Sequence, residues 1–179
     1  MNVYTSKYAR LPGSSYDEAL NHARQEYNVI AHSTKRQPYI KSKYFSGNKV
    51  FLNVFWDHVM QKRLKERTRR LRFYRAALDV LRHSQITPET TFNADDRNIL
   101  LHRFYGITKD GIYFCVQVKE DKRTGRKDFM SVFDRKPRQS SPNKNLPRGS
   151  LKTTCRRFPG DTAINCVWLR LYAFRLSCQ

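Results

Sequence analysis

A histidine, a lysine, an arginine and a serine are enough to cleave RNA without a metal. One group takes the proton of the ribose 2′-hydroxyl and another protonates the leaving 5′-oxygen, while cations hold the charge of the phosphorane. His58, Lys119, Arg103 and Ser131 are the candidates for that work here. His58 follows "NVFWD", where the β-rich run "KVFLNVF" is expected to pass as a short strand into a helix. A helix N-terminus favours neutral imidazole and offers donors to phosphate, which suits a base. The alternative is a histidine packed under Trp56. The paired acids Asp95–Asp96 and Glu120–Asp121 fall in expected loops, with no third acid to complete a two-metal site. The expectation is therefore no metal and no cofactor.

Lys119, Arg103 and Ser131 depend on one hairpin. In "LLHRFYGITKDGIYFCVQVKEDKRTGRKDFMSVF" the alternating arms FCVQVK and FMSVF flank a charged loop. Strand alternation sends Phe114, Val116 and Val118 into a core and Cys115, Gln117 and Lys119 onto the other, open face. In the preceding strand, "ILLHRFYGI", His102 and Phe104 share one side, Arg103 and Tyr105 the other. The Arg103/Tyr105 side can hold a phosphate and stack a base, and His102 beside it joins the nucleic-acid-binding candidates. Ser131 is expected to share a face with Phe129 and Phe133, an odd place for a hydroxyl unless it lines a cleft. Otherwise it is a satisfied structural serine. Arg67, Arg69, Arg70 and Arg72 are expected to form a dense cationic face, either simply solvated or gripping an RNA backbone.

Further elements complete an α+β domain. Ser15 with Glu18 is a capping-box pattern, predicting a helix from Tyr16 to about Asn28. "TKRQPYIKSKYFSGNK" reads as a loop or extended linker. Apolar positions from Val59 to Leu81 recur at three or four residues, broken by the basic KERTRR, and predict two helices or one bent helix over residues 56–82. QITPETTFNADDRN reads as a polar loop. Three segments result: a helical lead over 1–44, a domain over 45–134, and a tail over 135–179 rich in Pro, Ser, Arg and Lys with an apolar end. The tail holds ten Lys/Arg against one acid.

The formal charge is +20 in 179 residues, a field that draws polyanions, nucleic acid first among them. The four cysteines have no CxxC or Cys/His metal spacing, which points to a reduced, intracellular protein. No run is apolar enough to span a membrane, and "MNVYTSKYARLPGSS" lacks a signal-peptide core, so the expected location is the cytoplasm.

The runs "KVFLNVFWDHV…RLRFYRAALDVLRHS" and "HRFYG…DGIYFCVQVKED…KDFMSVF", spanning about residues 49–133, resemble phage-associated nucleases of the barnase, EndoU, colicin and RelE-like (BECR) superfamily. The resemblance implies N-terminal helices packed on a curved antiparallel sheet. It implies metal-independent endoribonuclease activity leaving a cyclic phosphate, in a phage effector or toxin. RNA, ribosome-associated RNA included, would be the partner, with an antitoxin or immunity protein as a second one. His58 matches the helix histidine of the family and Ser131 its late-strand polar residue, while Lys119 and Arg103 are looser matches. The tail has no counterpart. The competing function is a basic RNA- or DNA-binding protein without catalysis.

Overall fold

A computed structural model describes residues 2–135. The basic tail lies, but for Arg135, outside the described residues. The described chain is a mixed α+β unit of four helices on a curled, half-barrel sheet. The helices are α1 (Tyr16–His32), α2 (Asn53–Met60), α3 (Leu64–Arg72) and α4 (Tyr74–His83). The strands are β1 (Tyr4–Thr5), β2 (Tyr39–Lys41), β3 (Lys49–Phe51), β4 (Glu89–Phe92), β5 (Ile99–Ile107), β6 (Tyr113–Asp121) and β7 (Lys127–Phe133). They run in the order β1-β5-β6-β7-β3-β2, with β4 beside β1 along β5.

The expected strand β5 and the β6–β7 hairpin are present, and the β5–β6 register follows the alternation. Val116 pairs with Phe104 and Val118 with His102, on the face that carries the core. Phe114, Val116 and Val118 are fully buried, while Lys119 is half-buried on the opposite face. Cys115 also points away from the helices, yet it is fully buried, so that face is not open at its level.

The capping box forms as read. Ser15 Oγ accepts from the Glu18 amide at 3.2 Å, and Glu18 Oε2 accepts from the amides of Ser14 and Ser15. Residues 56–82, read as two helices or one bent helix, form the end of α2, all of α3 and all but the last residue of α4, and three other segments differ from the expectation. "KVFLNVF" is a strand only to Phe51, because Leu52, Phe55, Trp56 and Val59 recur at helical spacing and are all buried. That stripe overrides the β-propensity of valine and phenylalanine. The segments read as linker and polar loop contain β2 and β4, which add edges to the sheet.

Residues 2–44 share this core. Ala19, Ala23 and Ile30 of α1 lie in the same buried cluster as Phe55, Tyr74 and Phe129, and β2 pairs with β3. The N-terminal strand is tied to α4 through Asp79, whose fully buried carboxylate accepts from Ser6 Oγ at 2.8 Å and from the Lys7 amide at 3.2 Å. Gly106 lets α4 and β6 close on β5, since a Cβ there would stand 2.7 Å from the Phe114 ring. Helix α2 packs on β7 through Phe55 and Phe129, stacked at 4.7 Å with planes 6° apart. Both rings are fully buried. Phe129→Ala is therefore expected to cost about 3–5 kcal/mol, as large core truncations do, read from the urea unfolding midpoint.

Candidate active site

Strand β7 loses its neighbour halfway along. β3 pairs with it only at Val50↔Lys127 and Phe51↔Asp128, before the chain turns into α2. Beyond that point α2 and α3 lie against β7. A bulge adds Met130 here: Val118 faces Phe129, but Gln117 faces Ser131. The extra residue transfers Ser131 from the face of Phe129 to the opposite one. The expectation that Ser131 and Phe129 share a face is thus corrected by the bulge. Arg103, Gln117 and Ser131 form one row across β5, β6 and β7.

Arg70 of α3 reaches that row over the uncovered edge. Its Nη1 donates to Ser131 Oγ, and its Nε (3.1 Å) and Nη2 donate to Glu66 Oε1 one turn earlier. The guanidinium also stands 5.8 Å from the centre of the Phe133 ring. Arg70 is nearly buried, and Ser131 is buried. A fork fixed on one side by a carboxylate and on the other by a hydroxyl has little freedom left, which is the condition for preorganised charge stabilisation.

His58 of α2 is within electrostatic reach of Arg70 and Glu66. It is half-buried, and burial is the main cause that holds its imidazole below the ordinary 6.5. The charges of Lys62 and Arg70 add to the lowering, and Glu66 opposes it. The helix-start setting is corrected: α2 begins at Asn53, so His58 falls in its last turn, where the helix dipole alone favours the cation. The neutral form is favoured by burial and by neighbouring cations instead.

Arg103 is on the expected face. Its Nη1 is 3.9 Å from Glu89 Oε1, and its buried Nε has no hydrogen-bond partner among the described residues. Lys119 is on the same face, two residues from Gln117, about 7 Å along the strand. Tyr105 is on that face too, but 6% exposed, with its hydroxyl donating to Glu89 Oε2 at 2.6 Å. Burial, then that bond, pushes the phenol up to about 12. It therefore offers no ring to a base, and the stacking role is corrected.

His102 is corrected as a nucleic-acid contact as well. It is turned into the core face, with Nδ1 2.9 Å from Thr90 Oγ1 and Nε2 2.7 Å from Glu120 Oε2. Glu120 Oε1 also meets the buried Lys127 Nζ at 2.9 Å. Burial alone would raise the Glu120 carboxyl, but bonds from Lys127 and His102 outweigh it and hold it below its ordinary 4.5. A depressed carboxyl stabilises the fold above its unfolded pKa, and that contribution is lost as pH falls through the lower folded value. Glu120→Gln is expected to flatten the fall in the urea midpoint below about pH 4.5, relative to wild type.

The four arginines of α3 do not make one cationic face. Helical geometry puts Arg67 and Arg70 on one side and Arg69 and Arg72 on another. Arg67 Nε donates to the Lys62 carbonyl at 2.6 Å and Arg72 Nε to the Leu11 carbonyl at 3.3 Å. Arg69 is exposed, 3.4 Å from Asp134. Sequence reasoning missed Glu66 and Glu89. Glu66 had a signal, its i,i+4 spacing to Arg70; Glu89 depends on strand register.

The fold and the cluster together define an α+β protein with a cationic cluster where α3 meets β7. Compared with known protein families, with curated proteins and with solved structures, the chain matches none of them. Among the described residues there is no group of three or more His, Cys, Asp or Glu able to hold a metal. No helix among them is long and apolar enough to cross a membrane.

Proposed function

We propose that the chain is a metal-independent endoribonuclease of the BECR type, with the cluster between α2, α3 and β7 as its active site. The observation that carries this reading is the part-buried Arg70–Ser131 hydrogen bond, together with a histidine of lowered pKa that feels the Arg70 charge. His58, neutral at pH 7, takes the proton of the ribose 2′-hydroxyl, and the 2′-oxygen attacks the adjacent phosphorus. Arg70 and Arg103 stabilise the phosphorane, and Ser131 positions the phosphate. Lys119, on the same face, adds a third cation and a proton for the leaving 5′-oxygen. The products are a 2′,3′-cyclic phosphate and a free 5′-hydroxyl. The order of a histidine-bearing helix, further helices and the antiparallel β5–β6–β7 set supports the BECR assignment. The charge of +20 supports RNA as partner, on the ribosome or free, and a phage or toxin effector of this kind calls for an inhibitor protein.

The pH profile tests the base. A rate that depends on neutral His58 rises with pH and levels off above a midpoint lower than 6.5. A midpoint well above 6.5 in wild type, unmoved in variants of Lys62, would contradict the assignment.

A further inference from the structure

The face that carries Ser131 and Lys119 continues beyond β7. Lys119 is paired with Asp128, Asp128 with Phe51 and Phe51 with Tyr39, so one row crosses β6, β7, β3 and β2. That is three strand spacings, about 14 Å. At its far end the segment that follows α1, residues 33–37, and the β2–β3 pair line a groove of about 910 Å³. Lys35, Arg36, Tyr39, Lys49 and Phe51 are among the residues that line it. The three cations are exposed, and the two rings are half-buried.

The chemistry of this groove is specific. Tyr39 and Phe51 meet edge to face at 6.2 Å, and the Lys49 ammonium stands 4.6 Å from the Tyr39 ring. Arg126 lies over Phe51 at 4.5 Å, with Nε held by Asp128 at 3.0 Å and Nη2 by Gln37 at 3.1 Å. A guanidinium backed by a ring and pinned at both ends is a flat, preorganised surface. Rings and guanidinium planes stack bases irrespective of sequence, and the surrounding cations pair with phosphates. Such a surface suits unpaired bases, whose faces a duplex keeps stacked inward.

We propose that this groove binds the single-stranded RNA flanking the cleaved bond, Tyr39 and the Phe51–Arg126 stack holding bases while Lys35 and Lys49 meet phosphates. The proposal rests on the ribonuclease reading for the identity of the strand. Its test does not need cleavage. Fluorescence anisotropy with a 2′-O-methyl RNA of about 12 nucleotides, a length within the range of single-strand grooves, reports binding by the full chain with the attacking hydroxyl blocked. Tyr39→Ala is expected to weaken binding about tenfold, and Tyr39→Trp to retain it. Lys35→Ala with Lys49→Ala should lower the log–log salt slope by about 1.4, at roughly 0.7 per phosphate contact. A folded Tyr39→Ala that binds as wild type, or a probe bound more tightly as a duplex than as a single strand, overturns the proposal. If these variants lose binding while wild type cleaves no RNA, the groove stands and the catalytic reading falls.

Discussion

His58→Ala is expected to slow RNA cleavage by about two to four orders of magnitude, the usual cost of losing one acid–base group. The variant should fold as wild type. His58 is half-buried in the last turn of α2, while Phe55, Trp56 and Val59 carry that helix's packing. The loss should appear in kcat more than in KM, because the imidazole handles a proton and contributes little to holding the strand. The pH profile separates this from a packing defect, since the residual rate should no longer titrate below 6.5. A folded His58→Ala that cleaves as fast as wild type would remove His58 from the mechanism.

Arg70→Ala should cost about two to three orders of magnitude in kcat, the range seen when one preorganised donor to a developing oxyanion is removed. Arg70→Lys should recover little. A compact ammonium lacks the planar fork by which the guanidinium spans Ser131 and Glu66. Because Arg70 also ties α3 to β7, its variants need a urea midpoint beside the rate. Glu66→Ala is the discriminating companion: it frees the guanidinium without deleting it, and should cost less than Arg70→Ala. Equal rates for Arg70→Ala and wild type would show that the arginine merely pins the helix.

Much of the scaffold was legible because it rests on local rules. Ser15 and Glu18 announce α1, and the alternation of Phe114, Val116 and Val118 sets the face of Lys119. The site was legible only in its ingredients. His58 could be named from "WDHV", but its place within α2 depends on the 52, 55, 56, 59 stripe beating β-propensity. Ser131 could be named, but the bulge at Met130 decides its face, and no local pattern in FMSVF marks a bulge. Arg70 was visible as charge alone. Its meeting with Ser131, sixty-one residues away, exists only because β3 stops short and leaves the edge of β7 to α3. His102 and Tyr105 were placed on the expected sides, yet Glu120 and Glu89 claim them inside the protein. Alternation gives the side of a sheet; it does not give what covers that side.

Whether the cluster does chemistry is read most directly by incubating the purified chain with end-labelled single-stranded RNA in excess EDTA and examining the new ends. Wild type should cut the RNA, leave 2′,3′-cyclic phosphates and 5′-hydroxyls, and fail to cut when the 2′-hydroxyls are methylated. Intact RNA after incubation with a folded wild type that still binds it, in EDTA and with ribosomes or divalent metal added, would contradict the catalytic account and leave a basic RNA-binding protein.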